Sequence, residues 1–144
     1  MSDPAEYDPR YLTGIVLFNR HRFFEAHEIW EELWRECSSE SRRFYQGLIQ
    51  ASVALYHWGN GNWRGARRLF QSGRKYMSAY PSHSFGLDVE SFWQEMATAL
   101  ADVLQNEPPA PYVRLDERFV PKIRINPAPA EWPEPESFTS ATDG

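Results

Sequence analysis

The chain has 144 residues, with 20 acidic against 15 basic side chains and a formal net charge of −5. That length suits one domain with a buried core. Aromatic residues make up 15% of it, six of them Trp, which excludes wholesale disorder, and the negative balance disfavours nucleic acid as the default partner.

A single cysteine, Cys37, excludes an intramolecular disulfide and a cysteine-based zinc site. No apolar run reaches the ~18 residues of a membrane span. The opening MSDPAEYDPR lacks the basic-then-apolar layout of a secretory signal. The expectation is a cytoplasmic protein with no membrane partner.

Asp8-Pro9 opens a first helix, to about Arg20, since Asp caps well and Pro is tolerated at the first helical position. FNRHRF is a short break. A second helix covers about Phe23 to Glu36, with Phe23, Ala26, Trp30, Leu33 and Trp34 at helical spacing. CSSES is a loop whose Ser38 or Ser39 can cap a third helix, about Ser41 to Trp58, apolar almost all round and therefore central. GNGN ends it. A fourth helix runs from about Trp63 to Ala79, YPSHSFG is a loop, and Asp88 caps a fifth helix to about Gln105.

Composition changes after Gln105. Residues 106–130 are Pro-rich but carry Val113, Leu115, Phe119, Val120, Ile123 and Ile125, too apolar for a plain linker, and are expected to lie along residues 1–105 as an extended arm. Residues 131–144 read as an acidic, disordered tail. An offset of 40 aligns the second helical hairpin on the first: Gly14 with Ala54, Phe23 with Trp63, Ala26 with Ala66, Trp30 with Phe70, Leu33 with Gly73. The expected fold is all-α, a small bundle of about five helices built on two tetratricopeptide-like antiparallel hairpins.

Chemistry-bearing residues concentrate on the second and third helices. His27 and Glu31 are four apart, so their side chains meet. Gln46, Gln50 and His57 fall roughly on one line of an apolar helix. Unpaired buried polar groups cost about 1–3 kcal/mol each, so this row should face polar partners. His27 and Glu31 across the hairpin are the natural ones, with Glu28 as an outer member. The plain reading is a buried hydrogen-bond network that sets helix docking. The alternative is a divalent metal on His27, Glu31 and His57, although no paired E-x-x-H and no H-E-x-x-H is present. The fourth helix carries Arg64, Arg67, Arg68, Arg74 and Lys75 with no acidic residue between positions 62 and 87. Arg64, Arg67, Arg68 and Lys75 make a basic face, suited to an anionic partner, to the acidic tail, or simply to solvent. No P-loop, G-x-G-x-x-G or G-x-S-x-G is present.

FNRHRFFEAHEIWEELW followed by FYQGLIQASVALYHWGNGNWRGARRLF resembles the domain of unknown function 309 family, its cyanobacterial-type members in particular. The resemblance covers about residues 10–80, and more loosely to about 105. It implies a small all-α bundle, a bacterial, archaeal or plastid setting, and no established activity. The matching positions are Phe18, Asn19, Phe23, Glu25, His27, Glu28, Trp34, Gln46, Gln50, His57, Asn62, Gly65 and Ala66. The family often has Gly where this chain has His21. Together these readings point to an interaction or scaffold domain with an unidentified protein partner, self-association being open and no cofactor expected. The alternative is a metal-dependent, hydrolase-like enzyme with Glu28 as general base. RNA binding by the fourth helix is a weaker third.

Overall fold

A computed structural model describes residues 6–111 and 113–136. Six α-helices account for most of these: α1 (Pro9–Asn19), α2 (Phe23–Glu36), α3 (Ser39–Gly59), α4 (Trp63–Met77), α5 (Val89–Ala99) and α6 (Ala101–Gln105). The fold is a small all-α bundle. The single fifth helix expected from the sequence is two, because Leu100 leaves helical geometry (φ −105°, ψ 16°) and the chain bends there. The loop at residues 80–86 also holds more order than expected. His83–Ser84 (β1) pairs antiparallel with Leu87–Asp88 (β2) across Phe85 and Gly86, both at positive φ, as a two-residue hairpin turn of this kind requires.

The helix starts follow local chemistry in three cases. The side chains of Asp8, Asn62 and Asp88 accept from the backbone N–H groups of Arg10, Gly65 and Ser91. The expected serine cap of α3 makes no such bond. Tyr80 serves that end instead: its hydroxyl accepts from Phe44 N (3.1 Å) and donates to Glu40 O (2.7 Å), the two groups an α-helix pairs directly.

Each helix packs on the next in sequence, α1 on α2, α2 on α3 and α3 on α4. Both hairpins turn in the same way. In the first, His21 N donates to Phe18 O and Arg22 N to Leu17 O; in the second, Gly61 N donates to Trp58 O and Asn62 N to His57 O. Every position is offset by 40, and each set is a Schellman end. It needs a left-handed residue, which is Gly61 (φ +79°) in one turn and His21 (φ +61°) in the other. The resemblance placed Gly at that same position.

The core is aromatic: Phe18 meets Phe23, Trp30 and Phe92 at centroid distances of 5.3–6.1 Å. Gly14 lets α2 approach, since a Cβ there would lie 1.9 Å from Trp30 Nε1. The segment after α6 closes the bundle. Ile123 and Ile125 are buried, while Lys122 and Arg124 between and beside them are exposed. Asn19 grips the segment with both ends of its amide, Nδ2 donating to Ile123 O (2.9 Å) and Oδ1 accepting from Ile123 N (2.8 Å). Tyr7 donates to Pro127 O, and Asn126 N to Gly86 O. Of the expected acidic tail, Pro135 is buried and Glu136 pairs with Arg22, while residues 137–144 lie outside the described residues.

Candidate functional site

His27 occupies the second turn of α2 at the margin of its apolar stripe, with 20% of its side chain exposed. Its Nδ1 lies 2.9 Å from Phe24 O and its Nε2 3.0 Å from a Glu31 oxygen. Both partners are acceptors, and each meets one ring nitrogen. The other Glu31 oxygen accepts from Arg35 Nη2 at 2.8 Å. His27, Glu31 and Arg35 therefore form a self-contained row at i, i+4, i+8 along one helix. The expected pairing of His27 with Glu31 is present, but it ties α2 to itself and not to α3.

The α3 polar residues go elsewhere. Gln50 packs opposite Gly73 of α4, where a Cβ on Gly73 would sit 3.1 Å from Gln50 Cβ. His57 packs opposite Gly65, with its Cδ2 2.9 Å from where a Cβ would be. Burial, and secondarily the charge of Arg68, hold the His57 imidazole below its ordinary pKa. Gln50 Oε1 is buried without a hydrogen-bond partner among the described residues, and Gln46 is half-buried on the same helix. The expectation that this row faces α2 is thus corrected: Gln50 and His57 face α4. One residue of register is 100° around a helix, so Tyr56, not His57, reaches α2.

The metal set fails on the same geometry. Among the described residues no three His, Cys, Asp or Glu side chains come together as ligands, so His27, Glu31 and His57 do not form a site. Glu28, the expected general base, is exposed.

The basic face is also redrawn. Arg67 is 18% exposed and engaged: Nε donates to Val103 O (3.1 Å), Nη2 to Asn106 O (3.0 Å), and Nη1 pairs with Glu107. It joins α4 to α6 and cannot present charge outward. Arg64 lies over the Trp63 ring, and Arg68 beside His57. Lys75 shares a hollow of about 310 Å³ with Arg43, Ser72 and Tyr76. Glu136 of the expected tail pairs with Arg22, at the α1–α2 turn and not on α4.

Two aromatics come together at the surface instead. Phe24 (46% exposed) from the first turn of α2 and Tyr56 (39%) from the last turn of α3 meet at 5.2 Å. Phe24 also covers the His27 ring at 5.0 Å. Glu28 and Glu32 continue the line of Phe24 along α2, both exposed. The only sequence signal for this patch was a Phe one position off the apolar stripe. Tyr56 carried less, being hidden in a helix that is apolar nearly all round.

Residues 11–69 match the family model described as domain of unknown function (DUF309). The chain is 40% identical over 75 residues to the uncharacterized protein YpuF of Bacillus subtilis (strain 168), covering 51% of this chain and 43% of that protein. It is 30% identical over 73 residues to an uncharacterized protein of Aquifex aeolicus (strain VF5), covering 50% of this chain and 22% of that one. The chain therefore spans less than half the length of either relative. Among the described residues no helix is long and apolar enough to cross a membrane.

Proposed function

With residues 11–69 matching a family of unknown function, we propose that this is a cytoplasmic protein-interaction module whose docking face is the Phe24–Tyr56 patch. The observation that carries the reading is the exposure of two large aromatics, from different helices, in tilted ring contact at 5.2 Å. Exposed aromatic pairs of this kind are the usual anchors of interfaces. The carboxylates of Glu28 and Glu32 beside Phe24 set the partner's chemistry: an apolar anchor flanked by Lys or Arg, as on a basic amphipathic helix. The matching turns 40 residues apart support the tetratricopeptide-like reading of the two hairpins, an architecture that presents helix faces to such segments.

Selection from a random displayed-peptide library tests this. The expected consensus has an aromatic or aliphatic residue between basic ones, with binding weakened roughly tenfold or more by Phe24→Ala or Tyr56→Ala. Enriched peptides that are acidic, or that bind the double variant as well as the parent chain, would refute it.

A further inference from the structure

A cleft of about 550 Å³ lies between α1 and the segment that follows α6, and neither Phe24 nor Tyr56 lines it. Its walls are fixed, because Asn19 holds the Ile123 backbone by two hydrogen bonds. Its floor is apolar, from Val16, Ile123 and Ile125, and Trp132, 44% exposed, stands in its lining. Arg20, Lys122 and Arg124 line it as well, and among the described residues no carboxylate does. Among the described residues none of these three cations has an ion-pair partner within 4.0 Å. Three acids near these cations do not line the cleft: Glu136 is held by Arg22 though near enough to act on Arg20, and Asp88 and Glu95 line a separate hollow with Lys122 and Arg124.

Three cations with no ion-pair partner among the described residues, set around an apolar floor, ask for an anion with a flat apolar body. A Trp face takes an aromatic ring, and the cations take its negative group. The volume lies within the range of small-ligand pockets. We propose that this cleft binds a small planar aromatic anion of about mononucleotide size. It is built largely from the segment beyond the family match, so it would distinguish this chain from others that share only residues 11–69.

Calorimetric titration of the full chain with adenosine monophosphate, adenosine, inorganic phosphate and 2-naphthoate tests it. Saturable binding of the nucleotide is expected, with adenosine and phosphate each about tenfold weaker or more, and with Trp132→Ala costing about tenfold while Trp132→Phe recovers part of it. Lys122→Gln with Arg124→Gln should weaken binding about tenfold or more without lowering the melting temperature, since both side chains are exposed and neither has an ion-pair partner among the described residues. Naphthoate binding as well as the nucleotide marks aryl carboxylates as the ligand class, still within the proposal. It is overturned if neither aromatic anion binds, if Trp132→Ala leaves affinity unchanged, if phosphate alone binds as tightly as the nucleotide, or if only an oligonucleotide binds, with a steep salt dependence.

Discussion

His57 shows how a single register position decides chemistry. Read as a ligand opposite His27, it lies instead against α4, where burial first and Arg68 second disfavour its charged form. A histidine with a lowered pKa binds fewer protons folded than unfolded through that interval. Its stabilising contribution is complete above the ordinary histidine range, about pH 6.5, and is lost as pH falls through the folded value. Urea midpoints should therefore decline on acidification below about pH 6.5, before carboxylates titrate. Arg68→Gln should raise the His57 midpoint in an NMR titration and narrow that decline. Gly61 gives a second prediction. Its φ of +79° is left-handed and a Cβ would meet nothing within 4 Å, so Gly61→Ala carries a purely conformational penalty of about 1 kcal/mol by chemical denaturation. A larger loss would mean that the turn is under tension beyond its dihedral preference.

For the helices, the sequence was most informative where periodicity was strong. The starts at Pro9, Phe23 and Trp63 and the polar cap residues Asp8 and Asp88 follow from the order of cap, break and apolar residues. What periodicity could not supply was azimuth. The third helix is apolar almost all round, so nothing in its pattern says which face meets α2 and which meets α4, and the His27–His57 pairing rested on that choice. Arg67 illustrates the same limit: spacing put it on a basic stripe, while the split at Leu100 brings the carbonyls of Val103 and Asn106 within its reach. Arg67→Gln should cost about 2 kcal/mol, the loss of charge-assisted hydrogen bonds. Amide exchange should accelerate in residues 101–107 while α1 and α2 stay protected. Uniform acceleration would mean that α6 and the bundle open as one unit.

Over the whole molecule, the all-α class, the two hairpins and the apolar character of the segment after Gln105 were legible, because burial pattern and turn residues report them locally. The path of that segment was not. It depends on one amide, Asn19, whose position in the resembling motif gave no hint that it mimics a neighbouring strand for Ile123. Asn19→Ala leaves the N–H and C=O of a buried residue unpaired and should cost about 1–3 kcal/mol, with Trp132 emission changing at lower urea than the helical signal. Coincident transitions would show that the segment and the bundle melt together. The same variant should weaken any aromatic anion bound in the cleft, since one wall is then loose.

The Asn19–Ile123 and Tyr7–Pro127 bonds join positions 104 and 120 residues apart, and that separation bears on biosynthesis. A ribosome delivers all six helices before the strand-like segment that α1 awaits. Hairpins with local contacts form early, and distant closures come last. A nascent or prematurely terminated polypeptide ending before Ile123 would thus hold its helices yet leave the flank of Val16 and the seats of Ile123 and Ile125 bare. Such a surface invites chaperones and proteases. Docking of Ile123 and Ile125 thus reports that the six helices before them are already in place.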